Sequence, residues 1–411
     1  MSGFVFAGGR FLDPRRDALI DGVEVLIEGD RVTEVADRPI VSASATRIDL
    51  AGRTLMPGLI DAHAHVYLCE VDFHRLADVP LTLLALRAAA AMRAMLRRGF
   101  TTVRDVAGGD WGIKHASETG LIDGPRLFVA GKAISQTGGH ADFRRRTEDG
   151  PGCACCSGLG FTSRIADGVD AVIHAARDEL RKGADLIKIM VSGGVSSQSD
   201  PLESTQFRLD EIAAACEVAA HWGTYVAAHA YTAEAIGRAV GQGVRTIEHG
   251  NLIDAAAARL MAERGAILVP TLVAYDALKR RGRDYGLSDY SLAKNEIVLA
   301  AGLRSIELAK AAGVEIGFGT DLLGQLQNDQ SREFLIRGEV ERPIEVLRAA
   351  TLVNARILRQ EGRLGELVPG AFADLLIVDG DPTRDLGVLT EPARLTEIWR
   401  GGTRRLAAGP A

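Results

Sequence analysis

Hydrophobic and polar positions along the chain follow two periods, and the change from one to the other divides the sequence into regions. Between residues 57 and 362, short β-rich apolar runs alternate with longer segments whose apolar residues recur at helical spacing. This alternation is typical of βαβ units around a parallel sheet. Eight runs predict strands, at residues 59–63, 101–106, 126–130, 185–191, 224–229, 245–248, 266–270 and 314–320. Eight strand and helix pairs predict an α/β fold that closes as a (β/α)8 barrel of the TIM type.

The segments between the runs predict amphipathic helices. Two of them, LTLLALRAAAAMRAMLRRG and RIADGVDAVIHAARDELRKG, end in basic residues followed by glycine, as helix C-termini tend to. The two ends of the chain differ, because residues 1–56 and 363–404 alternate in period two and contain no helical pattern. Neither piece has enough strands to close a core alone. We therefore expect residues 1–56 and 363–411 to form one small β-sandwich domain beside a barrel of residues 57–362.

Composition and charge exclude several classes of protein. With 47% hydrophobic and 25% charged residues among 411, the chain is typical of a globular protein, and its 5% aromatic content predicts an aliphatic interior. A formal net charge of −6 argues against a nucleic-acid partner. The start MSGFVFAGGRFLDP has no signal-peptide pattern, and no apolar window reaches the roughly 18 residues of a membrane span. We expect a cytoplasmic protein with no membrane partner.

The five cysteines form no even framework, which suits a reducing compartment. They are Cys69, Cys153, Cys155, Cys156 and Cys216. The cluster CACC fits no zinc-knuckle spacing and no second cysteine pair follows it, so we expect a structural or incidental role.

Polar side chains of metal-ligand type stand at the ends of five predicted strands, where a (β/α)8 barrel carries its reactive groups. The first run ends as PGLIDAHAHVY, and because strand side chains alternate, His63 and His65 point to the same side and can reach one ion. The full set is His63, His65, Lys188, His229, His249 and Asp321. A single strand-end histidine is more often a hydrogen-bonded core or rim residue, and a single aspartate after Gly-Thr usually caps a helix. Six such groups at one end favour a common site.

Lys188 is the member of this set that is hardest to explain as ordinary packing. It lies inside ADLIKIMVSGG, between Ile187 and Ile189, where an unpaired ammonium is costly to bury. A lysine in such surroundings becomes neutral and nucleophilic. Lys188 therefore needs a partner or a chemical modification.

This set resembles that of the amidohydrolase superfamily: the HxH after PGLID, the lysine, the two later strand-end histidines and the final aspartate. The segment VPGAFADLLIVDGDP extends the resemblance over essentially the whole chain. The resemblance implies that Lys188 reacts with carbon dioxide to give N6-carboxylysine, which bridges two divalent metal ions. His63, His65 and Asp321 would hold one ion, and His229 and His249 the other. We expect zinc from the nitrogen-rich ligands, although such sites often accept manganese or cobalt.

The catalytic roles follow from charge. Two cations roughly 3.5–4 Å apart lower the pKa of a shared water, and Asp321 is the natural general base that later passes the proton to the leaving nitrogen. His140, in SQTGGHAD, is assigned to polarising the carbonyl or stabilising the oxyanion, against the alternative of a rim histidine. Tyr231, two residues past His229, would bind a substrate carboxylate or the oxyanion, against the alternative of a loop packing contact.

The HxYT and TGGHAD elements resemble a binuclear subgroup that includes Xaa-Pro dipeptidases, dipeptidases releasing C-terminal Arg or Lys, and ochratoxin-cleaving amidases. The resemblance implies hydrolysis of an amide in a dipeptide or N-acyl amino acid with a free carboxylate, with Xaa-Pro as the first expectation and a homo-oligomer as the assembly. Three alternatives stay open. They are a mononuclear deaminase, which needs no Lys188, a ring-opening enzyme similar to imidazolonepropionase or dihydropyrimidinase, and a non-catalytic barrel, which would have lost ligands.

Two segments are too long for tight connections and are predicted to be lids: residues 132–164 and YDALKRRGRDYGLSDYS. Their basic side chains are candidates for meeting a substrate carboxylate: Arg144, Arg145, Arg146, Lys279 and Arg280. A substrate with C-terminal Arg or Lys would need acidic partners instead. Candidates are Asp142, Glu148, Asp200 and Glu203.

Overall fold

The structure is a computed structural model that describes residues 3–147, 160–197 and 200–407. The strands are β1 Gly3–Ala7, β2 Arg10–Phe11, β3 Ile20–Asp21, β4 Glu24–Glu28, β5 Arg31–Ala36, β6 Thr46–Asp49, β7 Thr54–Pro57, β8 Leu59–Ala64, β9 Phe100–Asp105, β10 Arg126–Val129, β11 Ala133–Ser135, β12 Ser163–Ile165, β13 Ile187–Met190, β14 Val226–Thr232, β15 Thr246–Leu252, β16 Ile267–Val269, β17 Leu375–Val378, β18 Leu395–Arg400 and β19 Thr403–Ala407.

The α-helices are α1 Phe73–Ala77, α2 Leu81–Arg97, α3 Trp111–Glu118, α4 Val169–Arg181, α5 Leu209–His221, α6 Ala233–Gly241, α7 Ala255–Arg264, α8 Leu272–Arg281, α9 Asp289–Ala312, α10 Arg332–Arg337, α11 Pro343–Arg348 and α12 Asn354–Ile357. A π-helical turn, Ala349–Val353, joins α11 to α12. The predicted helices within LTLLALRAAAAMRAMLRRG and RIADGVDAVIHAARDELRKG are confirmed as α2 and α4. No helix in the described ranges combines the length and apolar character that crossing a bilayer requires.

Two parallel sheets occupy the middle of the chain, which confirms a mixed α/β fold. One has the order β10-β9-β8, and the other the order β12-β11-β13-β14-β15-β16. Their central strands are buried at nearly every position, as expected when helices cover a parallel sheet. In the larger sheet, apolar residues of β13, β14 and β15 form one core with the inner faces of α4 to α7.

The predicted run 314–320 forms no regular strand but lies between the edges of both parallel sheets. Gly317 N donates to Leu268 O at 2.8 Å on one side, and Ala62 N donates to Phe318 O at 2.8 Å on the other. A Cβ at Gly319 would lie 2.7 Å from Cβ of His63. Glycine allows this close approach but weakens a strand, so the prediction of a regular strand here was wrong.

The first predicted lid, residues 132–164, contains β11 and the start of β12, two strands that the sequence did not predict and that pair in parallel at the edge of the larger sheet. The second predicted lid, YDALKRRGRDYGLSDYS, comprises most of α8, a 3-10 turn at Arg283–Tyr285 and the start of α9. Cys153, Cys155 and Cys156 lie outside the described residues, as does Glu148. Cys69 and Cys216 are half-buried free thiols.

Two further sheets contain the remaining strands: the first is built from N-terminal strands alone, and the second combines strands from both ends of the chain. Their orders are β5-β4-β1-β6 and β19-β18-β17-β7-β2-β3. In the second sheet β17 pairs with β7, so that Leu376 lies opposite Met56. A shared core joins the two sheets, and in it the ring of Trp399 meets the rings of Phe4 and Phe6 at 4.9 and 5.2 Å. The domain boundaries at 56 and 363 stay a prediction.

Candidate active site

Six side chains of metal-ligand type line one buried cavity at the carboxyl ends of the parallel strands. The space between its walls, counted together with open solvent at its mouth, is about 790 Å³. The six are those that the sequence singles out: His63, His65, Lys188, His229, His249 and Asp321. His140 and Tyr231 line the same cavity, so the structure brings every predicted site residue together. The metal-binding and catalytic roles of these residues stay predictions.

Helix caps hold the ends of two of the strands that carry these side chains. Thr232, the last residue of β14, caps α6 by accepting a hydrogen bond from Ala235 N at 3.2 Å. Asp254, two residues past β15, caps α7 by accepting from Ala257 N at 2.7 Å. Such caps satisfy backbone N–H groups at a helix start. They fix where β14 and β15 end, and therefore where the histidines of these strands lie.

Asp321 stands at the centre of the histidines. Its Oδ1 lies 2.9 Å from His65 Nε2 and 3.2 Å from His63 Nε2, and its Oδ2 lies 3.9 Å from His249 Nδ1. Burial by itself raises the pKa of Asp321, but the charge and hydrogen bonds of His63 and His65 outweigh burial and hold that pKa well below its ordinary value. Ligand atoms of His63, His249 and Asp321 lie within 4.8 Å of one another, close enough to hold one metal ion.

Asp321 and His249 also share an uncommon backbone conformation. Their φ angles are +50° and +78°, in the left-handed region that residues with side chains rarely adopt. Strain of this kind is concentrated at functional sites, where the surrounding structure holds it in place.

Each strand-end histidine uses one ring nitrogen for a contact within the protein. His63 Nδ1 donates to Glu248 Oε2 at 2.8 Å, and His65 Nδ1 donates to Ala107 O at 3.2 Å. Nδ1 of His249 lies 2.8 Å from the Thr271 hydroxyl. His63 and His65 are therefore oriented to use Nε2 toward an ion. In His249, the Nδ1 that meets Thr271 is also the ring nitrogen 3.9 Å from Asp321 Oδ2.

His229 is oriented in the opposite sense, because its Nε2 donates to Gly193 O at 3.1 Å and leaves Nδ1 for an ion. Burial, followed by the neighbouring His140 and His249, holds the pKa of His229 well below its ordinary value. Burial likewise lowers the pKa of His249. Both imidazoles are thus held neutral, which is the form that binds metals.

The Lys188 ammonium is buried among these groups. Its side chain is 2% exposed, and Nζ has no hydrogen-bond partner within the described part of the chain. Burial lowers the pKa of Lys188 to about 8, although the charges of Glu248 and Asp321 oppose this effect. A substantial fraction of the amine is therefore neutral near physiological pH and able to act as a nucleophile.

His140 is held in place by hydrogen bonds and by ring stacking. Its ring stacks on that of His229 at 4.2 Å, and its Nδ1 lies 3.0 Å from Ser197 Oγ and 3.4 Å from Asp200 Oδ2. Gln206 Oε1 accepts a hydrogen bond from His140 N at 2.8 Å. The side chain of His140 is buried and forms part of the cavity wall, and its catalytic role stays a prediction.

Tyr231 forms part of a chain of hydroxyl groups that the sequence did not reveal. Its OH lies 3.0 Å from the OH of Tyr275, which lies 3.4 Å from Thr271 Oγ1. Burial raises the pKa of both tyrosines, so both phenols stay neutral. Two neutral hydroxyls in the cavity wall provide hydrogen-bond donors for an anionic oxygen.

Sequence reasoning also missed Glu248 and Arg104, which lie beside the histidines and are fully buried. Arg104 Nη2 donates to both carboxylate oxygens of Glu248, at 2.8 and 2.9 Å. A signal was present, since both are charged residues inside apolar runs, TTVRDV and RTIEHG. The argument from buried charge that singled out Lys188 applies equally to them.

Comparison with known proteins gives the family. The amidohydrolase family matches this chain over residues 54–405. The protein belongs to the amidohydrolase family. It is therefore an enzyme.

Individual relatives indicate which kinds of amidohydrolase this chain is similar to. Ochratoxinase from Aspergillus niger is 32% identical to this amidohydrolase over 379 residues, covering 87% of this chain and 76% of the relative. A crystal structure of a prolidase in complex with N-methylphosphonate-L-proline is 49% identical, with a TM-score of 0.95 and coverage of 98% and 99% of the two chains. A Xaa-Pro dipeptidase with bound methionine is 29% identical, with a TM-score of 0.87 over 98% and 99%.

Apart from these polar groups, the cavity of this amidohydrolase has largely apolar walls. They include Leu68, Phe73, Phe143, Val195, Leu278, Leu322, Leu323 and Leu326. The rings of Phe73 and Phe143 stack at 4.2 Å, and both side chains also border an adjoining pocket lined by Arg144, Arg145 and Arg146. These three arginines thus line the adjoining pocket, whereas the predicted metal ligands line the cavity itself.

Most of the other charged loop residues that the sequence offered as substrate contacts, where the structure describes them, are engaged elsewhere. Lys279 pairs with Glu296 at 2.9 Å, and Arg280 pairs with two aspartates on the surface. Asp142 binds Arg144 at 2.5 Å. Asp200 accepts a hydrogen bond from the Ser197 hydroxyl, and Glu203 is exposed. Within the described residues, Asp321 is the single carboxylate in the cavity wall.

Glu333 gives this amidohydrolase a pH-dependent stability that can be measured. Its Oε2 accepts a hydrogen bond from Val273 N at 2.6 Å at the start of α8, and burial raises its pKa from 4.5 to about 8, which Arg337 partly opposes. The folded protein therefore binds this proton more tightly than the unfolded chain, so the stability contribution is full below pH 4.5 and is lost as pH rises through 8. We expect Glu333→Gln to flatten the fall in Tm between pH 5 and pH 8.5.

Thermal unfolding followed by circular dichroism at several pH values measures this effect. The exposed Glu339, changed to Gln, is the matched control and should leave the pH dependence of Tm as in the wild type. A Glu333→Gln curve parallel to that of the wild type would contradict the buried, proton-binding carboxyl.

Proposed function

We propose that this amidohydrolase hydrolyses the amide bond of Xaa-Pro dipeptides or, more broadly, of N-acyl amino acids with a free carboxylate. The observation that carries the proposal is the Lys188 ammonium, buried without a hydrogen-bond partner in the described chain, among four histidines and Asp321. The similarity to a prolidase bound to N-methylphosphonate-L-proline supports this substrate class. In that ligand, a tetrahedral phosphorus on the proline nitrogen stands where an acyl carbon would be attacked.

We propose that the two parallel sheets and residues 314–320 close into a (β/α)8 barrel of residues 57–362. Hydrogen bonds between this run and both β8 and Leu268 of β16 support closure on one side. On the other side, Asp185 N donates to Val129 O at 2.7 Å, between β10 and the start of β13. The two remaining sheets, which share one core, support a β-sandwich of residues 1–56 and 363–411.

The side chains of the cavity fit a metal centre, because four histidines, Asp321 and the buried amine of Lys188 line the same space. The buried Nζ has space and no competing hydrogen bond in the described chain, and carbon dioxide would convert it to a carbamate with two ligand oxygens. His63, His65 and Asp321 would hold one ion, and His229 and His249 the other, with zinc favoured by nitrogen ligands. When bound, the ions supply Lewis acidity toward the amide carbonyl and activate the attacking water.

The protein's own groups then move the proton and hold the substrate. Asp321 accepts the proton of the attacking water and passes it to the leaving nitrogen. His140, with Nδ1 held by Ser197 and Asp200, presents Nε2 to the carbonyl oxygen, where negative charge develops. The hydroxyls of Tyr231 and Tyr275 donate to the substrate carboxylate or to the oxyanion.

The cavity walls favour an apolar substrate over a cationic one. A C-terminal Arg or Lys side chain needs a free carboxylate, but of the candidates in the described residues, Asp142 and Asp200 are engaged and Glu203 is exposed. Apolar side chains of leucine, valine and phenylalanine instead surround the reacting groups. An ochratoxin-type amidase is the second candidate, because ochratoxinase is 32% identical over 87% of this chain.

Replacing His140 with Ala should lower kcat by roughly 10²-fold to 10³-fold, the usual loss when one oxyanion donor is removed. Metal content should stay at the wild-type level, because the proposal gives His140 no ligand role. Steady-state kinetics and elemental analysis on the same preparation measure both quantities. Loss of metal together with activity would make His140 a ligand instead.

A substrate screen tests the proposed function. Enzyme loaded with zinc in bicarbonate buffer is assayed against dipeptides ending in Pro, Phe, Arg or Lys, against N-acyl prolines, and against cyclic imides and ureides. We expect the highest kcat/KM for C-terminal Pro or for an N-acyl apolar amino acid. Cleavage of the cyclic compounds without cleavage of any dipeptide or N-acyl amino acid would overturn the proposal in favour of ring opening.

A further inference from the structure

Arg104 and Glu248 form an ion pair in the interior, beneath the candidate metal ligands. Both side chains are 0% exposed, and Arg104 Nη2 contacts both oxygens of Glu248. Thr246 Oγ1 accepts from Arg104 Nη1 at 3.2 Å, and Arg104 Nε donates to the carbonyl of Ala62. The pair therefore links β9, β15 and β8 through side chains that water does not reach.

Fold stability alone does not account for such a pair. Removing two charges from water is costly, and replacing a buried ion pair with apolar side chains of similar volume is often neutral or stabilising. The presence of a buried ion pair at this position is therefore not explained by packing alone.

The reason lies in what else Glu248 contacts. Its Oε2 accepts a hydrogen bond from His63 Nδ1 at 2.8 Å. In the other three candidate histidines, the corresponding ring nitrogen has an uncharged hydrogen-bond partner: Ala107 O for His65 Nδ1, the Thr271 hydroxyl for His249 Nδ1 and Gly193 O for His229 Nε2. A carboxylate partner fixes the tautomer of a ligating histidine and makes its other nitrogen a stronger ligand.

Arg104 also holds the backbone next to this histidine. It donates to the carbonyl of Ala62, the residue before His63, and at the same time to the carboxylate that holds the His63 ring. One guanidinium thus fixes both the strand and the acceptor on which the orientation of His63 depends. The remaining nitrogen, Nε2, points toward Asp321 at 3.2 Å.

We propose that Arg104 and Glu248 are positioning residues that hold His63 with Nε2 directed at the metal position, and that they set how tightly this half of the site retains its ion. The inference rests on the proposed function. Neither residue touches substrate, so their effect acts through His63. Loss of such a partner typically weakens metal affinity by roughly 10-fold to 100-fold.

A double variant, Arg104→Met with Glu248→Leu, tests the proposal without leaving one charge buried alone. The matched control is Arg337→Met with Glu341→Leu, which removes another buried Arg–Glu pair, joined at 2.6 and 2.8 Å, that contacts no histidine. Zinc-loaded wild type, double variant and control are mixed with a chromophoric chelator, and the rate of zinc release is recorded. Circular dichroism establishes that each protein is folded.

We expect the double variant to release one zinc about 10-fold faster or more, while the control pair releases zinc at the wild-type rate. The single variant Glu248→Gln, which keeps the shape of the side chain, should show a change in the same direction and serves if the double variant does not fold. Wild-type release rates in both variants would overturn the positioning role alone. A wild type that retains no zinc would overturn the proposed function and this inference with it.

Discussion

We expect Lys188→Ala to lose most of the metal that the proposed site holds and to lower kcat/KM by roughly 10³-fold or more, the loss expected when several kcal/mol of Lewis-acid stabilisation disappear. The reason is the position of Nζ, which is buried, without a hydrogen-bond partner in the described chain, and close to Glu248 and Asp321. No other described residue offers a bridging group at this place in the cavity wall. Elemental analysis and kinetics on purified variant measure the two losses.

Chemical rescue distinguishes a bridging carbamate from a purely structural lysine. The cavity left by Lys188→Ala should admit short carboxylic acids, and formate or acetate should restore part of the metal content and activity. The surface variant Lys310→Ala, which removes an ion pair with Glu345, is the control and should change neither quantity. Full metal content in Lys188→Ala without added carboxylate would contradict the bridging role.

The elements that sequence alone predicted are those whose signal is local. Seven of the eight predicted runs form strands in the structure. A buried parallel strand is apolar on both faces, and it therefore stands out in the sequence as a short continuous apolar run. His63 and His65 were identifiable from their spacing, since alternation puts positions two apart on one side. Lys188 was identifiable because an ammonium between two isoleucines is costly wherever the strand lies.

The features that sequence did not predict depend on which segments meet in space. The run 314–320 reads as a strand, but Gly317 and Gly319 bring its backbone close to neighbouring residues and break the regular pattern. Tyr275 lies in a segment interpreted as a lid, and its role is visible only once α8 places its hydroxyl beside Tyr231. β11 and β12 are three residues each, too short to give a periodic signal.

The buried charges Arg104 and Glu248 show what the sequence reveals and what only the structure adds. Glu248 directly precedes a predicted ligand, and Arg104 lies inside a predicted strand, so each was visible as an anomaly in the sequence. Their partnership was not, because β9 and β15 are far apart in the chain and belong to different sheets. Only their positions in the fold show that one charge compensates the other and that the pair reaches His63.

The second large effect is expected at Asp321. Asp321→Asn keeps the size of the side chain and one oxygen, but it cannot accept a proton, so kcat should fall by roughly 10²-fold to 10⁴-fold. KM should change little, because the apolar walls and the tyrosine hydroxyls, which are proposed to bind the substrate, are untouched. Stopped-assay kinetics over a range of substrate concentrations separate kcat from KM.

Asp321 has two proposed roles, ligand and general base, and a second variant separates them. Asp321→Ala removes both the ligand oxygens and the base, whereas Asp321→Asn removes the base and keeps one oxygen between His63 and His65. If proton transfer dominates, both variants lose kcat to a similar extent and Asp321→Ala alone loses metal. If Asp321→Asn retains its metal and also retains wild-type kcat, the proton acceptor is another group, and His140, which lines the same cavity, becomes the first candidate.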